Sequence, residues 1–159
     1  MEFSIRTAQK ADVPIIVEGW KELMRANLRY DPVAFATKRN AAATYRKFLL
    51  KKMKSRNARV FVAEFGGKTV GYLIAGVEKL PPVYVIDREA YVLEIFVKRA
   101  FRGNGIGTKL LAAACAWGRK RGLRQLGLTV NIKNARARKV YANFGLKDLT
   151  LKMTTRLPR

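Results

Sequence analysis

The sequence contains no histidine and only one cysteine, Cys115, among its 159 residues. Without histidine, the chain lacks the commonest general base and a frequent metal ligand. One cysteine excludes an intrachain disulfide and a cluster of thiolate ligands, and it is typical of a reducing compartment. We therefore expect no metal centre, and proton transfer would have to use carboxylates, tyrosines or water.

Acidic residues are also scarce. The chain has 33 Lys and Arg against 11 Asp and Glu, which gives a formal net charge of +22. It has no apolar run near the roughly 18 residues that a membrane helix needs, and its first ten residues contain no apolar signal-peptide core. These absences predict a soluble, cytoplasmic protein, and the charge predicts association with something anionic.

The apolar content suits one domain over residues 1–159. Hydrophobic residues make up 49% of the chain and include 8 Phe, 6 Tyr and 2 Trp, which can fill a core. Periodicity alternates between helical and strand-like, which is typical of a mixed α/β fold. It predicts the order β-α-α-β-β-β-α-β-α-β, with strands at 3–6, 59–65, 69–77, 90–98, 125–131 and 149–155 and helices at 11–28, 40–54, 108–121 and 135–144.

The most informative segment is RGNGIG, Arg102 to Gly107, between the apolar strand AYVLEIFVK and a helix. Glycines let backbone N–H groups approach an anion, and a helix N-terminus adds partial positive charge, so a phosphate should bind there. The dinucleotide fingerprint G-x-G-x-x-G fails because Thr108 replaces its last glycine, and the P-loop pattern fails because Leu110 follows Lys109.

This segment resembles the acetyl-CoA signature [QR]-x-x-G-x-[GA] of the GCN5-related N-acetyltransferase (GNAT) superfamily. Upstream, residues 93–97 resemble the family's fourth strand. Downstream, Asn134, Ala137, Tyr141 and Gly145-Leu146 follow its N-x-x-A-x-x-x-Y-x-x-x-G-[FL] pattern. The predicted element order also matches the family's fold.

The resemblance implies the acyl-CoA N-acyltransferase fold, a mostly antiparallel sheet whose strands 4 and 5 splay apart. It implies acetyl-CoA as co-substrate, no metal, and direct attack by a primary amine of a protein, peptide or small molecule within a ternary complex. The pantetheine arm would lie beside the fourth strand like an added strand. The implied cofactor-binding residues are Ile95, Phe96, Val97, Arg102, Gly103, Asn104, Gly105, Ile106, Gly107, Thr108, Asn134 and Tyr141.

Two residues are candidates for moving protons. Tyr141 occupies the family's tyrosine position and would protonate the leaving thiolate, although its stripe with Ala137, Val140 and Phe144 would also pack as core. Glu94 lies in the central strand, where an unpaired buried carboxylate is costly, so it is either the general base or the partner of a nearby cation. Relay through water stays open, and the Val97 amide would polarise the thioester.

The remaining signals leave acceptor and partner open. Acidic and aromatic residues near the first helices and the fourth strand could attract a cationic amine or could be ordinary surface groups: Glu22, Tyr30, Asp31, Tyr84, Asp87 and Glu89. Cys115 is expected to be inert core. Cofactor phosphates would account for part of the positive charge, but not for the basic stretch 45–59, which fits a solvated surface or attraction to an acidic protein, a ribosome or nucleic acid.

Two other functions fit the sequence. One is a basic nucleic-acid-binding module in which RGNGIG contacts backbone phosphate, and the other is a non-catalytic acyl-CoA sensor. A homodimer is also compatible with the sequence.

Overall fold

The computed structural model of the protein describes residues 2–157. They form a mixed α/β fold, which confirms the expected class. The strands are β1 Ser4–Thr7, β2 Ala58–Phe65, β3 Lys68–Lys79, β4 Arg88–Val97 and β5 Leu126–Leu128; the helices are α1 Val13–Leu28, α2 Ala41–Lys54, α3 Ile106–Lys120 and α4 Ala135–Phe144, with short 3₁₀ turns at Lys10–Asp12 and Arg99–Phe101.

The strands form one sheet in the order β1-β2-β3-β4-β5. Strands β1 to β4 are antiparallel neighbours, and β5 runs parallel to β4. Gly66 and Gly67 close the β2–β3 hairpin with φ of +53° and +73°, which confirms the predicted turn. The mostly antiparallel sheet agrees with the expected acyltransferase fold.

Helices cover both faces of the sheet and form two cores. On one face, α1 and α2 bury Val13, Ile16, Tyr45 and Leu49 against β2, β3 and Phe96 of β4. On the other face, α3 packs against β3 and β4, and α4 lies beside α3. Within the described residues, no helix combines the length and apolarity needed to cross a membrane.

Most predicted bounds differ from the structure by one or two residues, and three differences are informative. Helix α3 begins at Ile106 and not at 108, because Gly105 adopts the left-handed conformation at the helix N-cap. Strand β5 covers Leu126–Leu128 instead of 125–131. The strand predicted at 149–155 does not form in the described chain, where Leu149, Leu151 and Met153 are 83%, 67% and 85% exposed. Alternating apolar residues give a strand two faces, but they do not supply the partner backbone that pairing requires.

Helix α3 approaches β4 closely at Gly118. A Cβ added there would lie 2.9 Å from the Cβ of Ala90, an atom that cannot move without its strand. Gly118→Ala should therefore lower the free energy of unfolding by about 1–3 kcal/mol. At an unhindered helix position, the same change would instead raise it by about 1 kcal/mol, because Ala forms helices better than Gly. Urea denaturation measures the change.

The second variant Ala90→Gly supplies the control. It removes the opposing β-carbon, so the double variant should lose less stability than the two single losses added together. A Gly118→Ala protein as stable as the parent would contradict this packing.

Candidate active site

Strand β4 carries one extra residue at its centre. Glu94 pairs with Ile74 and Val92 pairs with Ala75, so Leu93 has no partner on β3 and forms a bulge. Before the bulge, Val92 packs on the α3 face; after it, Ile95 does, although the two are an odd number of positions apart and would lie on opposite faces of a regular strand. The bulge thus reverses the alternation of side chains and turns Glu94 toward α1 and α2.

On that face, Glu94 is held by two tyrosine hydroxyls. Its Oε2 accepts hydrogen bonds from Tyr45 at 2.7 Å and from Tyr72 at 3.1 Å. Tyr45 stacks on Trp20, with ring centroids 4.5 Å apart, and Tyr72 is 1% exposed. The carboxylate therefore lies in an aromatic pocket formed by α1, α2 and β3.

This pocket makes Glu94 a weaker acid than a solvent-exposed glutamate. Burial raises the pKa of Glu94 to about 7, although the two hydroxyls partly oppose the shift by stabilising the carboxylate. Burial and then the Glu94 charge raise the pKa of Tyr45 and of Tyr72 far above that of a free tyrosine. Both hydroxyls consequently stay protonated and donate, while Glu94 exchanges its proton near neutral pH.

The outer edge of β4 is open beside the bulge. Strand β5 pairs with β4 only at residues 90–92. The Lys98 amide donates to the Val70 carbonyl at 2.9 Å, and N–H directions alternate along a strand, so the backbone groups of Ile95 and Val97 point away from β3. One of them, the Val97 carbonyl, accepts a 2.7 Å hydrogen bond from Arg102 Nε. The expected splay of strands 4 and 5 thus leaves edge backbone for an extended ligand.

The RGNGIG segment forms the turn into α3. Gly103 and Gly105 have φ of +88° and +74°, and a Cβ at either would meet nothing within 4 Å. Among the backbone hydrogen bonds of the described turns, loops and helix caps, none of good geometry is donated by the amides of residues 103–108. Ile106, which is 2% exposed, anchors the turn in the core, and Asn104 Nδ2 braces it by donating to the Phe101 carbonyl at 3.2 Å. The turn therefore presents free amides at a helix N-terminus, which suits an anion.

Positive side chains surround this turn. Arg102 lies over the Phe96 ring, 5.9 Å from its centroid. Partial burial, and then the nearby Arg136, lower the pKa of Arg102, and the charges of Arg99 and Arg29 act in the same direction. A bound polyanion would relieve this repulsion. The open glycine face, the free amides and the arginines together fit a diphosphate.

Helix α4 brings Tyr141 to the other side of the sheet. Asn134 Oδ1 accepts from the Ala137 amide at 3.2 Å, which confirms it as the N-cap, and Gly145 ends the helix with φ of +103°. A Cβ at Gly107 would lie 3.9 Å from Val140, so α4 runs next to the glycine turn. Tyr141 packs against the α3-side core, and burial raises the pKa of its hydroxyl. Glu94 and Tyr141 thus lie on opposite faces of the sheet, with the open edge of β4 between them.

Sequence reasoning missed Tyr45, Tyr72 and Trp20 as neighbours of Glu94. Tyr45 and Tyr72 lie 49 and 22 residues from Glu94 along the chain, and no local motif links them to it. The proposed pairing of Glu94 with a basic residue is not formed among residues 2–157, whose partners to Glu94 are the two tyrosines.

The six residues considered for amine recognition are scattered. Asp31 caps its own turn by accepting from the Val33 and Ala34 amides, each at 2.9 Å. Glu89 is buried and accepts from Gln125 at 2.7 Å, while Tyr84 and Asp87 are exposed beyond β3. Glu22, on α1, lies close enough to act on the charge of Arg102. Tyr30 meets the β5–α4 loop, since its carbonyl accepts from Lys133 Nζ at 3.3 Å.

Comparison with known proteins agrees with the resemblance drawn from the motifs. Residues 20–146 match the acetyltransferase (GNAT) family model. An uncharacterized N-acetyltransferase of Methanocaldococcus jannaschii is 32% identical over 153 residues, which are 92% of this chain but 61% of that protein. An N-alpha-acetyltransferase of Sulfurisphaera tokodaii is 27% identical over 153 residues, 93% of this chain and 82% of that protein.

Solved structures show the same fold. A predicted acetyltransferase of Clostridium acetobutylicum, whose structure was determined with acetyl-CoA, aligns with a TM-score of 0.79 at 17% identity, over 98% of this chain and 96% of its own. At that identity the likeness concerns the fold. The family model, however, spans most of the sequence, including the β4 strand, the glycine turn and α4. The chain therefore belongs to the acetyltransferase (GNAT) family.

Proposed function

We propose that this protein transfers an acetyl group from acetyl-CoA to a primary amine by direct attack within a ternary complex. One observation carries the proposal: the open edge of β4 lies between a carboxylate that titrates near neutral pH and a turn of free amides. The first can take a proton from an amine, and the second can hold the phosphates of the donor.

Backbone groups support the proposed binding of the acetyl donor. The amides of Gly103, Gly105, Gly107 and Thr108 would bind the diphosphate, and the Arg102 guanidinium adds charge beside them. The edge groups of Ile95 would pair with the pantetheine arm as an added strand does, which leaves the Val97 amide for the thioester end of the donor. When bound, acetyl-CoA supplies an acyl group already activated as a thioester.

Glu94 is our candidate base. With a pKa of about 7, it is largely ionised just above neutral pH and can accept a proton from the attacking amine directly or through water. The rate of acetyl transfer should therefore rise as pH increases through 7, since only the ionised form of Glu94 accepts a proton. The Val97 amide, which points into the gap, would stabilise negative charge on the acyl oxygen.

Tyr141 is our candidate acid. Burial favours its neutral form, so the hydroxyl keeps its proton until the thiolate leaves. For the acceptor, the N-alpha-acetyltransferase relative supports the α-amino group of a peptide as the first class to test.

Gly105→Ala tests the donor site. The methyl group would occupy the open space in front of the turn amides, so affinity for CoA should weaken about tenfold or more, measured by titration calorimetry. Gly67→Ala is the matched control: Gly67 has φ of +73° against +74° at Gly105, and neither position has an atom within 4 Å of an added Cβ. Both variants should lose similar stability, and only Gly105→Ala should lose affinity. Equal CoA affinity in the two variants would contradict the assignment.

Tyr141→Phe tests the acid. Phenylalanine keeps the packing and removes the proton, so kcat should fall by about 100-fold or more, while the KM for acetyl-CoA stays nearly constant. Thiol release with short peptides bearing free α-amino groups measures both. Tyr91→Phe is the control, because the Tyr91 hydroxyl meets Thr129 away from the proposed chemistry, and it should behave as wild type. Undiminished kcat in Tyr141→Phe would remove this residue from the chemistry.

Tyr45→Phe tests how the aromatic pocket tunes Glu94. The Tyr45 hydroxyl stabilises the carboxylate, so its loss should raise the pKa of Glu94 further above 7. Carboxyl ¹³C shifts in glutamate-labelled protein report the titration, with Glu94→Gln assigning the signal. Tyr91→Phe is the control because the Tyr91 hydroxyl meets Thr129 and not Glu94. An unmoved titration in Tyr45→Phe would show that the hydrogen bond does not tune the acid.

A further inference from the structure

A row of lysines runs along the exposed face of α2. Lys47, Lys51 and Lys54 are spaced i, i+4 and i+7, which places them on one side of the helix. They line an open groove of about 600 Å³ with Leu50 and Ser55. The row therefore extends along the helix axis and does not converge on a point.

Two arginines continue this row around the end of the sheet. Arg56 follows in the turn after α2, and Arg121 caps the C-terminus of α3. A hydrogen bond of 2.9 Å from Arg121 Nη2 to Asn57 Oδ1 ties the α3 end to that turn. We call Lys47, Lys51, Lys54, Arg56 and Arg121 the distal basic surface; all five are exposed.

No carboxylate neutralises the distal basic surface. None of its five side chains forms an ion pair within residues 2–157, and residues 32–63 contain nine Lys and Arg but no Asp or Glu. Like charges at i, i+3 and i, i+4 destabilise a helix. The helix dipole favours cations in the last turn of α2, but it does not account for Lys47 or Arg121.

The distal basic surface is separate from the proposed donor site. The glycine turn lies at the N-terminus of α3 and Arg121 at its C-terminus, and α3 has 15 residues, or a length of about 22 Å. One CoA molecule bound at the glycine turn does not explain the positive charge at the far end of the helix. A second, extended anion would account for that charge.

From these observations we infer that the distal basic surface docks the phosphate backbone of double-stranded DNA. A linear row of point charges matches a linear polyanion, and contacts of this kind are blind to base sequence. The groove lining contains no aromatic residue for stacking on unpaired bases, which favours a duplex over a single strand. An α-helix fits the wide major groove of B-DNA better than the deep, narrow one of duplex RNA. Docking here would leave the glycine turn free and hold the protein near DNA-bound proteins.

The test compares two triple variants of equal net charge. Lys47→Gln, Lys51→Gln and Lys54→Gln remove the row. Lys10→Gln, Lys68→Gln and Lys152→Gln remove three exposed lysines elsewhere that form no ion pair within the described residues. Fluorescence anisotropy with a labelled duplex of about 20 base pairs, at KCl from about 50 to 300 mM, measures the affinity and its salt dependence.

The row variant should bind DNA at least about tenfold more weakly, and the slope of log K against log salt should decrease in magnitude by about 2 to 3. In the control variant, the affinity and the salt slope should both change much less. Circular dichroism and CoA titration should match wild type for both variants, so failure of the donor site would be recognised separately.

Three results would overturn the inference. Equal loss in both variants would mean attraction by net charge alone. Displacement of DNA by saturating CoA would place the polyanion at the glycine turn. Tighter binding of duplex RNA or polyglutamate than of DNA would assign the surface to another partner.

Discussion

The extra residue at Leu93 controls the geometry of this protein's site. Its bulge reverses the side-chain alternation of β4 and turns Glu94 to the α1–α2 face. The β4–β5 pairing ends one residue earlier, at Val92, so the same short stretch turns the carboxylate and opens the strand edge. A regular β4 would keep Glu94 on the α3 face with Val92, away from Tyr45 and Tyr72.

The partners of Glu94 matter as much as its position. A chain with 33 Lys and Arg offers many cations, and one beside Glu94 would hold its pKa low. The pocket instead supplies two neutral hydroxyls, which orient the carboxylate without cancelling the effect of burial. Within residues 2–157, no Lys or Arg forms an ion pair with Glu94, while Arg102 and its basic neighbours lie at the glycine turn.

Features that depend on a few adjacent residues were predictable from the sequence, and contacts between residues far apart in the chain were not. The glycine turn, the Asn134 cap and the Gly66-Gly67 hairpin each depend on a few adjacent residues whose backbone preferences are strong. The bulge leaves no such signal, because AYVLEIFVK suits a regular strand equally well. Tyr45 and Tyr72 reach Glu94 only through packing of α2 and β3 on the sheet. The strand expected at 149–155 had the right alternation, but no partner backbone in the described chain.

The placement of a titrating carboxylate beside an open strand edge is the central claim, and its pH dependence tests it most directly. For acetylation of a peptide α-amine at saturating acetyl-CoA, kcat/KM of the wild type should rise with pH through two ionisations, that of Glu94 with an apparent pKa of about 7 and that of the peptide α-amine with a pKa of about 7.7–8.0. Glu94→Gln should bind CoA normally, lose most of its turnover and lack the limb near pH 7. A Glu94→Gln enzyme that keeps both its rate and the same limb would show that another group takes the proton and would contradict the account.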